Sequence, residues 1–182
     1  MSAPPSNRAS SGSVPPIADV AWLRERLRSD STLVICHVGS TMAGPEPERD
    51  FEHRHLPGAR FVSLDDALAA PPSGTAGRHP LPSPADFARL MGDLGVADDA
   101  TVVAYDDRGG AFAGRLVWML RILGQRATLL DGGSGAWIAD ATADVEHGAT
   151  VTTPLDRAVH EWPIDALADA IDVTRHLADG GV

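Results

Sequence analysis

Short apolar, β-branched runs alternate along this chain with longer stretches in which apolar residues recur every three or four positions. From Val20, the segment ADVAWLRERLRSD sets Val20, Leu23 and Leu27 on one helical face, and TLVICHV over 32–38 then reads as a strand buried on both sides. GARFVSL over 58–64 is a second strand. SPADFARLMGDLG over 83–95 is a helix with Ser83 as N-cap, Pro84 at its first position and Gly95 as its stop. TVVAY over 101–105 is a third strand, AFAGRLVWMLRILG over 111–124 the next helix, and ATLLD over 127–131 a fourth strand. GGSGAWIAD follows as a glycine-rich turn and a short helical piece ending near Asp140. Helix and strand in strict alternation predict an α/β fold, a mostly parallel sheet with helices on both faces.

The two ends break this rhythm. The first 16 or so residues are rich in Ser, Pro, Ala and Gly and too poor in large apolar groups to offset their ordering entropy, so 1–18 is expected to be a disordered tail. Residues 141–160 lose periodicity and read as a linker or surface excursion. WPIDALADAIDVTRHLADGGV then predicts a helix with Leu167, Ile171, Val173 and Leu177 as its apolar positions and Gly180 as its stop. That ending repeats the opening AWLRERLRSDSTLVICHV and stops where a second copy of the first strand would begin. The expected organisation is one α/β domain over 19–140, then a linker and the first helix of an absent or truncated second domain over 141–182.

A formal net charge of -10, with 15 Lys+Arg against 25 Asp+Glu, argues against a nucleic-acid or anionic-membrane surface. No apolar run approaches the roughly 20 residues needed to cross a bilayer, and the N-terminus lacks the apolar segment of a secretory signal. The expected location is the cytoplasm. Cys36 is the only cysteine, so neither an internal disulfide nor a thiolate metal site can be built, and the seven histidines follow no metal-ligand spacing. No metal and no cofactor is expected.

The candidate chemistry sits in DDRGGA, a polar loop between a buried strand and a helix, where α/β proteins cradle anions or display a nucleophile. The segments HRHLPGARFVSLDDALA, GRHPLP, VVAYDDRGGAFAGRLVWMLRILG and ATLLDGGSGAW, in this order and spacing, resemble the N-terminal half of the tandem-domain rhodaneses, the thiosulfate and 3-mercaptopyruvate sulfurtransferases. The resemblance runs from about Val20 to Trp137, with a weaker continuation into the Trp162–Pro163 region. It implies a rhodanese-like fold and a family reaction in which sulfane sulfur passes from thiosulfate or 3-mercaptopyruvate to a thiophilic acceptor. It also implies that only the second domain of such a pair carries the sulfur-accepting cysteine.

In an active loop of that family a cysteine follows the strand, with loop amides and the helix N-terminus pointing at its sulfur. Here that position is Asp106, which can accept from the amides but cannot accept sulfane sulfur, so this chain is expected to be inactive alone. The loop residues are then Asp106, Asp107, Arg108, Gly109, Gly110 and Ala111. Gly109 and Gly110 allow positive φ, Ala111 and Phe112 open the helix, and Arg115, one turn in, pairs with Asp106 or Asp107 or points outward. Arg78 is placed to face an interdomain cleft. Cys36 reads as a small core hydrophobe, and its neighbour His37 points to the opposite face of the strand, badly placed as its base. The family usually shows Asp where Cys36 or His37 stands, so a buried polar contact is expected to be missing there. His55 and His79 read as structural, bonding backbone in proline-stiffened turns, and Trp118 and Trp137 as core or interdomain packing. The expected partner is a second rhodanese domain, or another copy of the chain through the exposed interdomain face. Two other readings stand beside this one: a non-catalytic interaction or regulatory module, and a carboxylate-based hydrolase at Asp106.

Overall fold

The computed structural model describes residues 14–73, 77–139, 143–163, 165, 167–168 and 170–179. Five strands, β1 (Ile17–Ala18), β2 (Leu33–Gly39), β3 (Arg60–Ser63), β4 (Thr101–Tyr105) and β5 (Ala127–Leu130), form one sheet in the order β1-β5-β4-β2-β3. Every pairing is parallel. Because successive side chains of a strand leave the sheet on opposite faces, the central strands supply two cores. Val34, Cys36 and Val38 of β2 pack with Phe87, Met91, Leu116 and Leu120 of α3 (Pro84–Asp93) and α4 (Ala113–Ile122). Ile35 and, from β4, Val103 and Tyr105 pack with Leu23, Phe51 and Trp137 of α1 (Val20–Ser29), α2 (Pro47–His53) and α5 (Gly133–Ile138). Helices therefore cover both faces, as the alternation predicts.

Several local readings shift. The expected tail to residue 18 is ordered at its end: Ile17 and Ala18 pair with Leu129 and Leu130, while residues 1–13 lie outside the described residues. The α2 helix has no counterpart in the periodicity, since only Phe51 of its seven residues is buried. The α4 helix starts at Ala113, two residues later than Ala111, because 108–112 close in turns around the side chain of Asp106. The end near Asp140 and the stop at Gly180 both fall outside the described residues, which place α5 over Gly133–Ile138 and α6 over Ala170–Ala178.

Residues 143–163 contain no helix and no extended ladder, yet they are pinned along the domain. Glu146 exchanges backbone hydrogen bonds with His55, and its carboxylate accepts from the Gly58 amide at 2.8 Å. The Thr150 hydroxyl donates to the Ala59 carbonyl, and the Trp162 indole N–H donates to the Pro82 carbonyl at 2.8 Å. At the C-terminal end of α3 the strap answers carbonyls that a helix end leaves open: the Leu155 amide donates to Gly92 and the Thr152 hydroxyl to Asp93. The neighbouring Val96 carbonyl accepts from the buried Arg157, which also reaches Asp98 and Gln125. Gly92 and Gly95 are required there, because a Cβ on either would strike a strap carbonyl, of Leu155 or Thr153.

Candidate functional site

The chain runs from β2 outward to β3 and then returns to the other side of β2 as β4. The carboxyl ends of β2 and β4 thus flank the point where strand order reverses, the place where open parallel sheets form a ligand crevice. The DDRGGA loop leaves the end of β4 into this crevice.

Asp106 is buried, and its carboxylate closes the loop on itself. Oδ1 accepts from the amides of Arg108 and Gly110, each at 2.8 Å, and Oδ2 from those of Phe112 at 2.7 Å and Ala113 at 2.8 Å. A carboxylate has about four lone-pair sites, so four convergent donors use its accepting capacity. Gly109 and Gly110 hold φ of 69° and 87°, which lets consecutive amides turn inward. The backbone of Gly133 passes so close behind that a Cβ there would collide with the Asp106 carbonyl.

The neighbouring loop residues face outward. Asp107 is exposed and accepts from the Ser134 hydroxyl, with its other oxygen 3.8 Å from His37 Nε2. Arg108 donates from Nη2 to the Ala43 carbonyl at 2.8 Å, across the mouth of the crevice. Ala111 sits in the turn before α4. Arg115 makes neither carboxylate pairing nor an outward turn: its guanidinium donates to the carbonyls of Leu68 at 2.9 Å and of His79 and Pro80 at 3.0 Å each. The GRHPLP turn supplies two of these carbonyls, and burial there pushes the guanidinium pKa down. Arg78 is exposed in the same turn.

Cys36 is fully buried on the α3–α4 side of the sheet, and burial pushes its thiol up to about 12, with Arg60 opposing. His37 lies on the other side, stacked on Tyr105 at 4.8 Å between ring centroids and near Phe51 at 5.6 Å. It is 7% exposed, and its Nδ1 has no hydrogen-bond partner. Burial holds its pKa below the ordinary value against the opposing pull of Asp107, Asp106 and Asp50.

Of the remaining candidates, His55 bonds backbone as expected, with Nδ1 3.0 Å from the Phe51 carbonyl. His79 instead turns its Nε2 to the Asp65 carboxylate at 3.2 Å. Asp65 went unnoticed in the sequence, where LDD reads as an ordinary loop start. Burial raises its pKa, but the Thr41 amide and hydroxyl, His79 and Ser40 outweigh that and leave it below the usual value. Trp137 is buried, with its indole N–H on the Asp144 carbonyl, whereas Trp118 is 41% exposed and is not a core residue.

The crevice itself is a cleft of about 270 Å³, bounded by the end of β2, the start of α2 and the loop after β4. No cluster of His, Cys, Asp and Glu suited to a metal ion occurs among the described residues. No described helix is long and apolar enough to cross a membrane.

Residues 19–140 match the model of the rhodanese-like domain family. The chain is 47% identical over 98 residues to a probable 3-mercaptopyruvate sulfurtransferase of Pseudomonas aeruginosa, covering 52% of this chain and 34% of that protein. It is 44% identical over 115 residues to a thiosulfate sulfurtransferase of the same organism, covering 60% and 40%. The crystal structure of the 3-mercaptopyruvate sulfurtransferase SseA from Escherichia coli superposes with a TM-score of 0.72 at 29% identity, covering 91% of this chain and 62% of that one. The chain therefore spans less than half the length of either of these two curated relatives.

Proposed function

The chain belongs to the rhodanese-like domain family, and on that premise we propose that it is the non-catalytic member of a pair of rhodanese-like domains in a cytoplasmic thiosulfate or 3-mercaptopyruvate sulfurtransferase. The observation that carries this reading is the Asp106 carboxylate, seated on four loop amides in the place where sulfur chemistry needs a thiolate. A carboxylate oxygen cannot form the S–S bond of a persulfide. The only thiol, Cys36, is sealed in the core and held protonated. The partner is a second rhodanese-like domain, whether in the same polypeptide or separate, and in its absence another copy of the chain. The same saturation of Asp106 speaks against the hydrolase reading, since a nucleophile or magnesium ligand needs a free oxygen.

The purified chain is expected to transfer no sulfur from thiosulfate or 3-mercaptopyruvate to cyanide above the buffer rate. Turnover that persists in pure protein and disappears in Cys36→Ser would overturn the proposal.

A further inference from the structure

Near its start the strap meets a buried histidine. His55 follows α2 directly, and its ring is stacked on Phe51 at 4.0 Å between centroids. Its Nδ1 lies 3.0 Å from the Phe51 carbonyl, which can only accept, so the first ring proton belongs on Nδ1. Its Nε2 faces the strap, 3.4 Å from the Thr150 hydroxyl oxygen and 3.9 Å from Glu146 Oε2. The Thr150 proton is already given to the Ala59 carbonyl, a much shorter contact at 2.6 Å. Thr150 therefore turns lone pairs toward Nε2. With one ring proton, His55 sets its own lone pair against them; with a second, it donates to Thr150 beside a carboxylate at ion-pair distance.

We propose that His55 is a proton-operated clasp for the strap: a proton taken up at Nε2 is shared with Thr150, faces Glu146, and fastens residues 146–150 to the turn over 55–59. The closed strap favours the doubly protonated ring and an open strap does not. Closure therefore strengthens as pH falls through the range in which histidines titrate, and weakens as pH rises through it. The other groups around the ring do not reverse this sign. Glu146 favours the proton. His37, which also stacks on Phe51, would oppose it only when charged, and burial holds its pKa below the ordinary value. Tyr105 keeps its hydroxyl oxygen on the Leu56 amide. His147 holds its Nδ1 on the His53 carbonyl at 2.5 Å, a contact that needs a proton in either charge state. The device is a local opening of one segment, and it is independent of whether the domain transfers sulfur.

The test is amide hydrogen exchange of the intact chain between about pH 5 and pH 8, corrected for the pH dependence of free amides, with nitrogen NMR spectra of the histidine rings. Protection of the Glu146 and Gly148 amides, bonded to the carbonyls of His55 and Glu52, should fall about tenfold as pH rises across that range. Protection of the β4 amides should not fall. Over the same range His55 should lose the proton on Nε2 and keep the one on Nδ1. Thr150→Val and Glu146→Gln should each remove most of the dependence, whereas His147→Asn should leave it in place. Protection of Glu146 that is flat or rises with pH, a singly protonated ring with its proton on Nε2, a dependence that survives both Thr150→Val and Glu146→Gln, or one that vanishes with His147→Asn would each overturn the proposal.

Discussion

At the scale of single residues, the site is organised by what one carboxylate accepts. Replacing Asp106 by Ala would leave four inward amides without acceptors, two of them buried, and should cost about 3–5 kcal/mol in a denaturant titration. Asp106→Cys tests the same cradle from the other side. A thiol placed there faces the amides now held by the carboxylate, so alkylation across pH should report a pKa well below the free value of about 8.5, while Cys36 stays unreactive in the native protein. An introduced thiol that alkylates no faster than free cysteine would mean that the cradle is made by the carboxylate. His37 supplies a pH dependence. Its folded pKa lies below its unfolded one because burial opposes the charged form, so the unfolded chain binds the extra proton between the two. Stability should therefore fall as pH drops below about 6.5, and His37→Phe should flatten that limb. The hydrogen-bonded Asp65 acts at lower pH, where its contribution, present above its unfolded pKa, is lost as pH falls through its folded one. Thermal melts of the wild type and of His37→Phe between pH 5 and neutrality would show the separation.

At the scale of elements, what the sequence disclosed and what it hid divide along a physical line. The buried strands β2, β4 and β5 and the helices α3 and α4 announce themselves because each buries several of its own residues, and a local window contains that information. The two-residue β1 exists only because β5 offers an edge more than a hundred positions away, and α2 buries a single side chain. The DDRGGA loop was legible as a polar turn between a buried strand and a helix. The choice of Arg115 for three carbonyls of the 68–80 segment was not, since carbonyl partners leave no trace in residue type. The same holds for the cleft around His37, which forms from the ends of two strands and the start of a helix that the periodicity does not show. One element-level junction should prove unusually intolerant. Gly133, at φ 56° against the Asp106 carbonyl, joins α5 to the loop. Gly133→Ala should destabilise by more than about 1 kcal/mol, beyond the ordinary cost of a left-handed glycine, and a melting temperature unchanged from wild type would refute that packing.

At the scale of the whole molecule, α6 presents Ile171, Val173 and Leu177, each at least half exposed, beside a domain whose two cores are otherwise closed. An amphipathic helix with no buried residue gains little from the domain it is attached to, and its apolar side is stabilised only by a further surface. The chain is accordingly expected to self-associate at high concentration, despite a net charge of -10 that opposes it. Sedimentation should show mass rising with concentration, and Ile171→Ser with Leu177→Ser should return it to that of one chain. A single-chain mass for the unaltered protein at every concentration would exclude the expectation.

The strap over 143–163 bears on how such a domain can be inherited. Its residues close the carbonyls at the end of α3, seat Trp162 on Pro82 and Phe87 and pair Arg157 with Asp98, so the sheet and its helices are finished by a stretch that contributes no strand among the described residues. A genetic exchange that cut after the last helix of the sheet would carry away a recognisable fold with an open seam. The physical unit is longer than the secondary structure that identifies it, and a change in the seemingly featureless segment acts on the neighbour it completes.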